Sequence, residues 1–518
     1  MPRRASSARI LLVDLSQDSD VPLYQQVYEG VRSRILDGTL SRGAPFPSTR
    51  TLARDLRVSR STIVLAYGQL RTEGYIEGRM GAATRVSATL PDRSVRAPTA
   101  EKRTGIHGHA VPAGKLAQRI VAIPRARHVV GRPPRAFRCA VPAVDIFPVD
   151  TWGRLLSSRW RKTPAGALAY GDPFGYLPLR EAIAGYLASA RGVHCSPQQV
   201  MVVNGSQEGL DLTCRVVLDA GDSAWIEDPG YFGARGAFTA ADANVVPVPV
   251  DAEGLMVKRG IASAPDARLA FVTPARQLPL GVTMSLPRRL ELIEWARSAK
   301  AWIYEDDYDS EFRYVGRPVA ALHGLDPHGC VIYAGTFSKV TFPALRLGYV
   351  VVPESLVDAF SAVRYYLNYS SPYLEQAVLT DFITHGHFER HIRRMRAVYQ
   401  ERQAVFVEQV QRVLAGKMST AASDSGMTLI GWLAPGVRDT ALARAALEQD
   451  VDVLPLSSFS SRPIAPGLVL GYAGVCDRDI REGVARLAHA FDDKRALAAE
   501  FIPGASFPSS NRSAERMQ

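Results

Sequence analysis

Apolar positions near the amino end recur at helical spacing. Leu23, Val27, Val31, Ile35 and Leu36 line one face of a helix opened by Pro22, and Gly38 ends it. Ser48 caps a short helix over 49–56, Arg57-Val58 turns the chain, and Ser59 caps a further helix that runs to Glu73. Ile63, Ala66, Tyr67 and Leu70 share one face of that last helix, which leaves Arg60, Ser61, Thr62 and Gln69 elsewhere on its surface. Two short helices joined by a tight turn predict a helix-turn-helix, whose second helix lies in a DNA major groove. Beyond Gly74, residues 75–86 alternate around a glycine turn, which predicts a β-hairpin.

A different rhythm begins near residue 141. Short apolar runs at Gln199–Val203, Ser223–Glu227, Leu269–Thr273, Ala301–Glu305 and Val331–Ala334 alternate with helical segments. That alternation predicts an α/β domain with a mainly parallel sheet and ligands at the carboxyl ends of its strands. Between the two patterns, residues 88–140 are rich in Pro, Ala, Arg and Gly without a sustained apolar period, so a flexible connector is expected. The helix-like stretch Gly114–Val121 is too short to assign. The expected organisation is a tail at 1–21, a winged helix-turn-helix at 22–87, a basic linker at 88–140, the α/β domain at 141–490 and a second tail at 491–518.

Composition sharpens this picture. A chain of 518 residues, 47% hydrophobic and 22% charged, exceeds one ordinary domain. No apolar run is long enough to span a bilayer, and the start carries no secretory signal. Five cysteines without a Cys-x-x-Cys pair favour buried thiols in a reducing cytoplasm over a disulfide or zinc framework. The net charge of +11 is unevenly placed: residues 1–90 hold 13 Lys/Arg against 8 Asp/Glu, residues 91–140 hold 11 against 2, and the remainder 38 against 41. A basic amino-terminal part on a slightly acidic body fits a polyanion-binding module joined to a small-molecule domain. The linker either follows the phosphate backbone or is a soluble tether.

Three motifs fall at expected strand ends. Val200–Val203 runs into Asn204-Gly205-Ser206-Gln207-Glu208-Gly209, where free N–H groups and the helix dipole suit a phosphate. Ala301–Tyr304 ends in Glu305-Asp306-Asp307-Tyr308-Asp309-Ser310-Glu311, an acidic run that is unfavourable in a buried strand end unless it meets a cation or a protonated ring nitrogen. No histidine accompanies it at ligand spacing, so no metal site is expected. The third motif, Tyr333-Ala334-Gly335-Thr336-Phe337-Ser338-Lys339, continues to Arg346 and offers an amine for a Schiff base beside groups that bind phosphate. Such a lysine must lose its proton, and Arg346 as a neighbouring cation would help.

The run PLYQQV…ILDGTL…FPSTRTLARDLRVSRSTIVLAYGQLRTEGYIEGRMGAATRV resembles the winged helix of GntR-family regulators. The resemblance implies that Arg50, Arg60, Ser61 and Thr62 contact phosphates or base edges, with Arg79 and Gly81 in the wing near the minor groove. Arg57 stands where a turn glycine is common, and Ala82-Ala83 replaces a more glycine-rich wing tip.

Residues 145–490 resemble fold-type-I pyridoxal-phosphate (PLP) enzymes of the aminotransferase class I/II branch. The resemblance implies that Lys339 carries the PLP Schiff base, Asp306 pairs with the pyridine nitrogen and Tyr308 hydrogen-bonds the phenolic oxygen. It further implies that Tyr231 stacks on the ring, that Ser206, Gln207, Thr336, Ser338 and Arg346 hold the phosphate, and that Tyr170 reaches the phosphate of a partner subunit. The chain departs from that pattern at two places. Leu278 replaces the asparagine of an Asn-Pro-x-Gly turn, with Gln277 as a substitute. Val469 occupies the position of the arginine that clamps a substrate carboxylate, leaving Arg462 or Arg276 to supply one.

The whole layout resembles the MocR/GabR-type subfamily of GntR-family regulators, although Ala275-Arg276 stands where Ser-His is expected. It implies a cytoplasmic, PLP-dependent transcription factor, a head-to-tail homodimer that binds double-stranded operator DNA and senses a small amine or amino acid, or PLP itself. The alternative is an active aminotransferase with an accessory DNA-binding module. Val469 argues for at most feeble transamination.

Overall fold

A computed structural model of the chain describes residues 15–16, 19, 21–78, 84–90, 114–121, 123, 135–316 and 320–492. Its contacts divide into two units, Met1–Pro112 and Ala113–Gln518.

In the first unit, α1 (Leu23–Leu36) follows Pro22, α2 (Thr49–Asp55) follows Ser48, and α3 (Arg60–Thr72) follows Ser59. The Ser48 and Ser59 hydroxyls accept from the N–H groups of Thr51 and Thr62 at 3.2 and 3.1 Å, which satisfies donors that a helix start leaves orphaned. Val27, Val31, Ile35, Leu52, Ile63, Ala66 and Leu70 close one core with Ile76 and Val86 of a two-stranded hairpin, β1 (Ile76–Glu77) and β2 (Arg85–Val86). The faces read from the apolar spacing are therefore the buried ones, except at the ends of α1, where Leu23 is half-buried and Leu36 exposed.

In the second unit, eight of the described strands form a sheet: β3 (Val200–Val203), β4 (Ser223–Asp228), β5 (Asn244–Asp251), β6 (Gly254–Leu255), β7 (Leu269–Val272), β8 (Trp302–Asp307), β9 (Val331–Thr336) and β10 (Gly348–Val351). Their order is β3-β10-β9-β8-β7-β4-β5-β6. The five strands from β9 to β5 are mutually parallel, while β10 is antiparallel to both its neighbours and β6 to β5. Helices cover the sheet, so β3, β7, β9 and β10 are buried along their whole length, as continuous apolar runs require. A second, antiparallel sheet, β11 (Met418–Ser419), β12 (Thr428–Leu433), β13 (Leu454–Pro455) and β14 (Gly467–Gly471), has the order β11-β12-β14-β13.

The end of the expected linker belongs to this second unit. Phe137 is fully buried in the main core, and residues 136 and 137 bridge to Val451 and Gly471. The Pro- and Arg-rich composition around Phe137 hides one aromatic anchor whose partners, Phe406 and Gly471 among them, lie hundreds of residues onward. Gly114–Val121, unassigned from its pattern, contains a helix over Lys115–Val121 with Arg119 paired to Asp242 at 2.5 Å. All five thiols are free, but only Cys214 and Cys330 are buried; Cys139, Cys195 and Cys476 are half-buried. Among the described residues, no helix is long and apolar enough to cross a membrane and no cluster of metal-ligating side chains occurs.

Candidate functional site

Because β10 reverses direction twice relative to its neighbours, β3 runs the same way as β9, and the carboxyl ends of β3, β4, β7, β8 and β9 share one edge. That edge gathers the motifs. Gly205, at φ +93°, links β3 to the helix Ser206–Val217, whose first N–H groups have no intrahelical partners. A Cβ at Gly205 would stand 2.8 Å from Arg346, so glycine is needed for the arginine to approach this helix start. Arg346 is exposed and donates to the Asn204 carbonyl at 3.0 Å. Thr336 ends β9 and Ser338 follows it, both buried; the Ser338 N–H donates to Thr336 Oγ1 at 3.2 Å, and Ser338 Oγ has no partner. Tyr231 donates to Gln207 Oε1 at 3.0 Å while Gln207 Nε2 donates to the Gly233 carbonyl at 2.9 Å. The Gln207 side chain is thus engaged in orienting Tyr231, leaving its backbone N–H for a phosphate.

The acidic run separates residue by residue. Glu305 accepts from the N–H groups of Leu322 and His323, both at 2.8 Å. Asp307 meets Arg191 at 2.5 Å and the Tyr333 hydroxyl at 2.6 Å, Asp309 faces Arg276 at 3.6 Å, and Glu311 accepts from Tyr186 at 3.0 Å. Asp306 has none of these: it is buried, and its Oδ1 lacks a partner. Burial, reinforced by Asp307, pushes its carboxyl up to about 7. A cation placed against it would restore the carboxylate.

Lys339 Nζ donates to the Ala140 carbonyl at 2.8 Å. Burial holds the ammonium below its usual range; Cys139, Asp309 and Asp306 oppose that shift. Arg346, expected to lower this amine, acts in that direction but less than burial does. Half-buried Tyr308 lies beside Asp306, Asp309 and Arg276, and burial raises its phenol well above the usual value. Ala140 and Cys139 went unrecognised because they lie in the residues read as linker.

All three expected substitutes for missing family residues have other partners. Gln277 donates to the carbonyls of Pro229 and Leu278 at 2.8 and 2.7 Å and accepts from Leu280 N at 3.0 Å, so it ties two loops together. Arg276 is clamped between Gly281 and Gly426, donates to the Thr428 carbonyl and faces Asp309. Arg462 pairs with Asp228 at 3.1 Å. Tyr170 does not join the pocket: it is 86% exposed, with its ring 5.0 Å from that of Tyr369.

In the first unit, Arg50 and Arg60 are exposed near the starts of α2 and α3. Ser61 Oγ and Thr62 Oγ1 lie 2.7 and 2.8 Å from the capping Ser59 hydroxyl. Arg79 and Gly81 lie outside the described residues. The same exposed face of α3 also presents Val64 (49% exposed) and Leu65 (58%), which the sequence reading passed over although their spacing from Arg60 and Ser61 places them there.

A capped helix-turn-helix with a hairpin, and a sheet edge that gathers a half-buried lysine, an unpartnered aspartate and a helix start, define a DNA-binding regulator with an aminotransferase-like domain. Residues 23–86 match the bacterial regulatory proteins of the gntR family, and residues 159–487 match aminotransferase class I and II. The chain is 43% identical over 478 residues to the probable rhizopine catabolism regulatory protein MocR of Rhizobium meliloti, covering 92% of this chain and 95% of that one. It is 30% identical to the pyridoxine biosynthesis transcriptional regulator PdxR of Corynebacterium glutamicum, over 76% of this chain and 80% of that one. Among solved structures, the α-aminoadipate aminotransferase LysN of Thermus thermophilus, complexed with N-(5'-phosphopyridoxyl)-L-leucine, matches with a TM-score of 0.67 at 27% identity, over 74% of this chain and 98% of that one. The chain belongs to the MocR-type branch of GntR-family transcriptional regulators.

Proposed function

We propose that the second unit binds PLP through Lys339 and that its occupancy by an amine or amino acid sets the affinity of the first unit for operator DNA. The observation that carries this reading is a half-buried amine, Lys339, held by the Ala140 carbonyl, and the one acid of the neighbouring run with neither a hydrogen bond nor an ion pair, Asp306. When bound, PLP supplies an aldehyde that condenses with primary amines. Burial loosens the hold of Lys339 on its proton, which favours the neutral form that attaches. Asp306 takes the charge of a ring nitrogen, Tyr231 covers the ring, and Tyr308 offers a hydroxyl to the phenolic oxygen. Ser206, Gln207, Thr336, Ser338 and Arg346 hold the phosphate, with the unpartnered Ser338 Oγ and the free N–H groups after Gly205 in place for it. Arg50, Arg60, Ser61, Thr62, Arg79 and Gly81 address the DNA.

A sensor needs only different affinities of two conformations for the ligand, whereas turnover also needs the reacting bond held in one orientation. Val469 in place of an arginine favours the sensor over an active aminotransferase. The working unit is a head-to-tail homodimer: the exposed rings of Tyr170, Tyr365 and Tyr366, linked through Tyr369, offer apolar surface for such an assembly to cover. A second reading, sensing of PLP itself, is favoured by the PdxR relative, named for pyridoxine biosynthesis.

The test uses the full chain. Borohydride is expected to fix cofactor onto Lys339, Lys339→Ala to retain none covalently, and operator affinity to change with cofactor or added amine. Transamination at ~10 s⁻¹, an ordinary enzyme rate, with operator binding indifferent to both, would establish the enzyme instead.

A further inference from the structure

Four separate segments close a small cavity that the proposed cofactor residues do not line. Arg191 ends the helix Leu177–Arg191, Arg276 follows β7, Asp309, Ser310 and Arg313 follow β8, and Ser425 precedes β12 with its backbone bridged to that of Arg313. They enclose about 10 Å³, room for one atom or ion of about the size of water. Four of these residues hold a buried donor atom with no hydrogen-bond partner: Arg191 Nε, Arg276 Nε, Arg313 Nε and Ser310 Oγ. The side chains of Arg191 and Arg276 are each only 4% exposed. A buried donor without a partner is unfavourable, more so on a charged group, and such a concentration of them at one cavity points to a ligand.

A water answers this set poorly, because its two lone pairs cannot accept from all four donors and it brings no charge. The charges call for one. Arg191 is spent on Asp307 at 2.5 Å, Arg276 meets Asp309 only at 3.6 Å, beyond hydrogen-bond length, and Arg313 has no ion pair among the described residues. Three guanidiniums against two carboxylates leave an excess of positive charge. Burial lessens even that compensation, since it pushes the Asp309 carboxyl up to about 6. Glu311 also acts on Arg191, but it does not line the cavity, and burial raises its carboxyl toward the neutral form. Arg276 cannot swing out to water: it donates to the Thr428 carbonyl, and a Cβ at Gly281 would already stand 2.8 Å from its Nη1.

We propose that this cavity binds one small monovalent anion, which accepts hydrogen bonds from Arg191, Arg276, Arg313 and Ser310. That chemistry has two sources: a free halide, or the carboxylate of an amine held at Lys339, since Asp309 acts on both Arg276 and the lysine. The site stands on its own donors and does not depend on amine sensing at Lys339.

The test titrates the cofactor-free full chain with sodium chloride, at an ionic strength held constant with the sodium salt of a bulky sulfonate buffer, and reads the thermal midpoint. Chloride is expected to raise it saturably, as a ligand of the folded state does. Arg313→Met removes a cation that holds no acid, and is expected to weaken chloride at least about tenfold, the loss that goes with one hydrogen bond to a charged group. A midpoint that ignores chloride, a shift that never saturates, or one unchanged in Arg313→Met overturns the proposal. Should that variant fail to fold, anomalous scattering from a bromide-soaked crystal of the unaltered chain decides: a peak between Arg276 and Arg313 upholds the site, and water alone there overturns it. Competition identifies the source. Chloride that raises the half-saturation of alanine but not of ethylamine, followed by absorbance of the cofactor-loaded chain, upholds the site and assigns it to the effector's carboxylate; chloride that binds yet leaves both alike upholds it as a halide site. A spectrum that answers neither amine refutes sensing at Lys339 and leaves the chloride result standing.

Discussion

Arg57 holds the turn of the helix-turn-helix at φ +53°, a left-handed conformation that side chains with a Cβ resist. Its side chain is exposed and no contact fixes it there, so Arg57→Gly is expected to stabilise the first unit by about 0.5–1 kcal/mol, the strain relieved less the extra freedom of an unfolded glycine. Slower hydrogen exchange of the α2 and α3 amides in the full chain would report it. Asp306 shows the opposite economy, a side chain that is unfavourable until something else arrives. Its carboxyl lies at about 7 in the fold against an ordinary 3.8, so the folded state holds a proton that the unfolded state releases. The sign follows: its contribution is complete at low pH and is lost as pH rises through about 7. Thermal stability of cofactor-free protein is expected to fall from about pH 5 to about pH 8, and Asp306→Asn should flatten part of that fall. Glu227 and Glu305, also raised to about 7 by burial, account for more of it. A fall of equal size in the Asn variant would remove Asp306 from this role.

At the scale of elements, α3 joins two jobs by its period alone. Ile63, Ala66, Tyr67 and Leu70 anchor it, and the opposite face carries Arg60, Ser61, Val64 and Leu65. An arginine at the first turn suits a phosphate or a guanine edge, and exposed aliphatics suit thymine methyl groups. Arg60→Ala is expected to weaken operator binding by about 1–3 kcal/mol and to lessen its salt dependence, with cofactor uptake unchanged because the two units have separate cores. Equal affinity across a salt series would take Arg60 out of the interface. The helix Ser206–Val217 works through its end: its start is held to Arg346, and Glu208 in its first turn meets the fully buried Arg364 at 2.6 Å. A phosphate there therefore meets a helix start that is already rigid.

At the scale of the molecule, Tyr170 is the side chain that the single chain leaves least explained. A phenol 86% exposed, its ring 5.0 Å from that of Tyr369, which in turn lies 4.7 Å from that of Tyr365, is left uncovered in a single copy. In the proposed dimer its hydroxyl completes the partner's phosphate site. Tyr170→Phe keeps the apolar ring and removes that hydrogen bond, so dimerisation should persist while cofactor affinity drops by about 1.5–3 kcal/mol. Sedimentation and equilibrium dialysis measure the two separately; unchanged cofactor affinity would place Tyr170 outside the site.

The sequence by itself determined the local elements and their order. Serine caps, apolar faces and strand runs are short-range properties, and α1 to α3, β3, β4, β7, β8 and β9 lie within a few residues of where they were read. The motifs at strand ends were equally legible, because a parallel sheet must place them on one edge. What only the tertiary structure decided is who partners whom. The family resemblance singles out Asp306, but the acidity of the run from Glu305 to Glu311 does not tell it from its neighbours; Arg191, Tyr333, Arg276 and Tyr186 do so from other segments. Nor does composition show that Phe137 and Ala140 belong to the core and the lysine, or that Gln277, Arg276 and Arg462 are already engaged. Those outcomes depend on contacts between separate segments, from 26 positions apart for Tyr333 and Asp307 to more than 300 for Phe137 and Gly471, and the burial that shifts the proton affinities of Lys339 and Asp306 exists only once those contacts close.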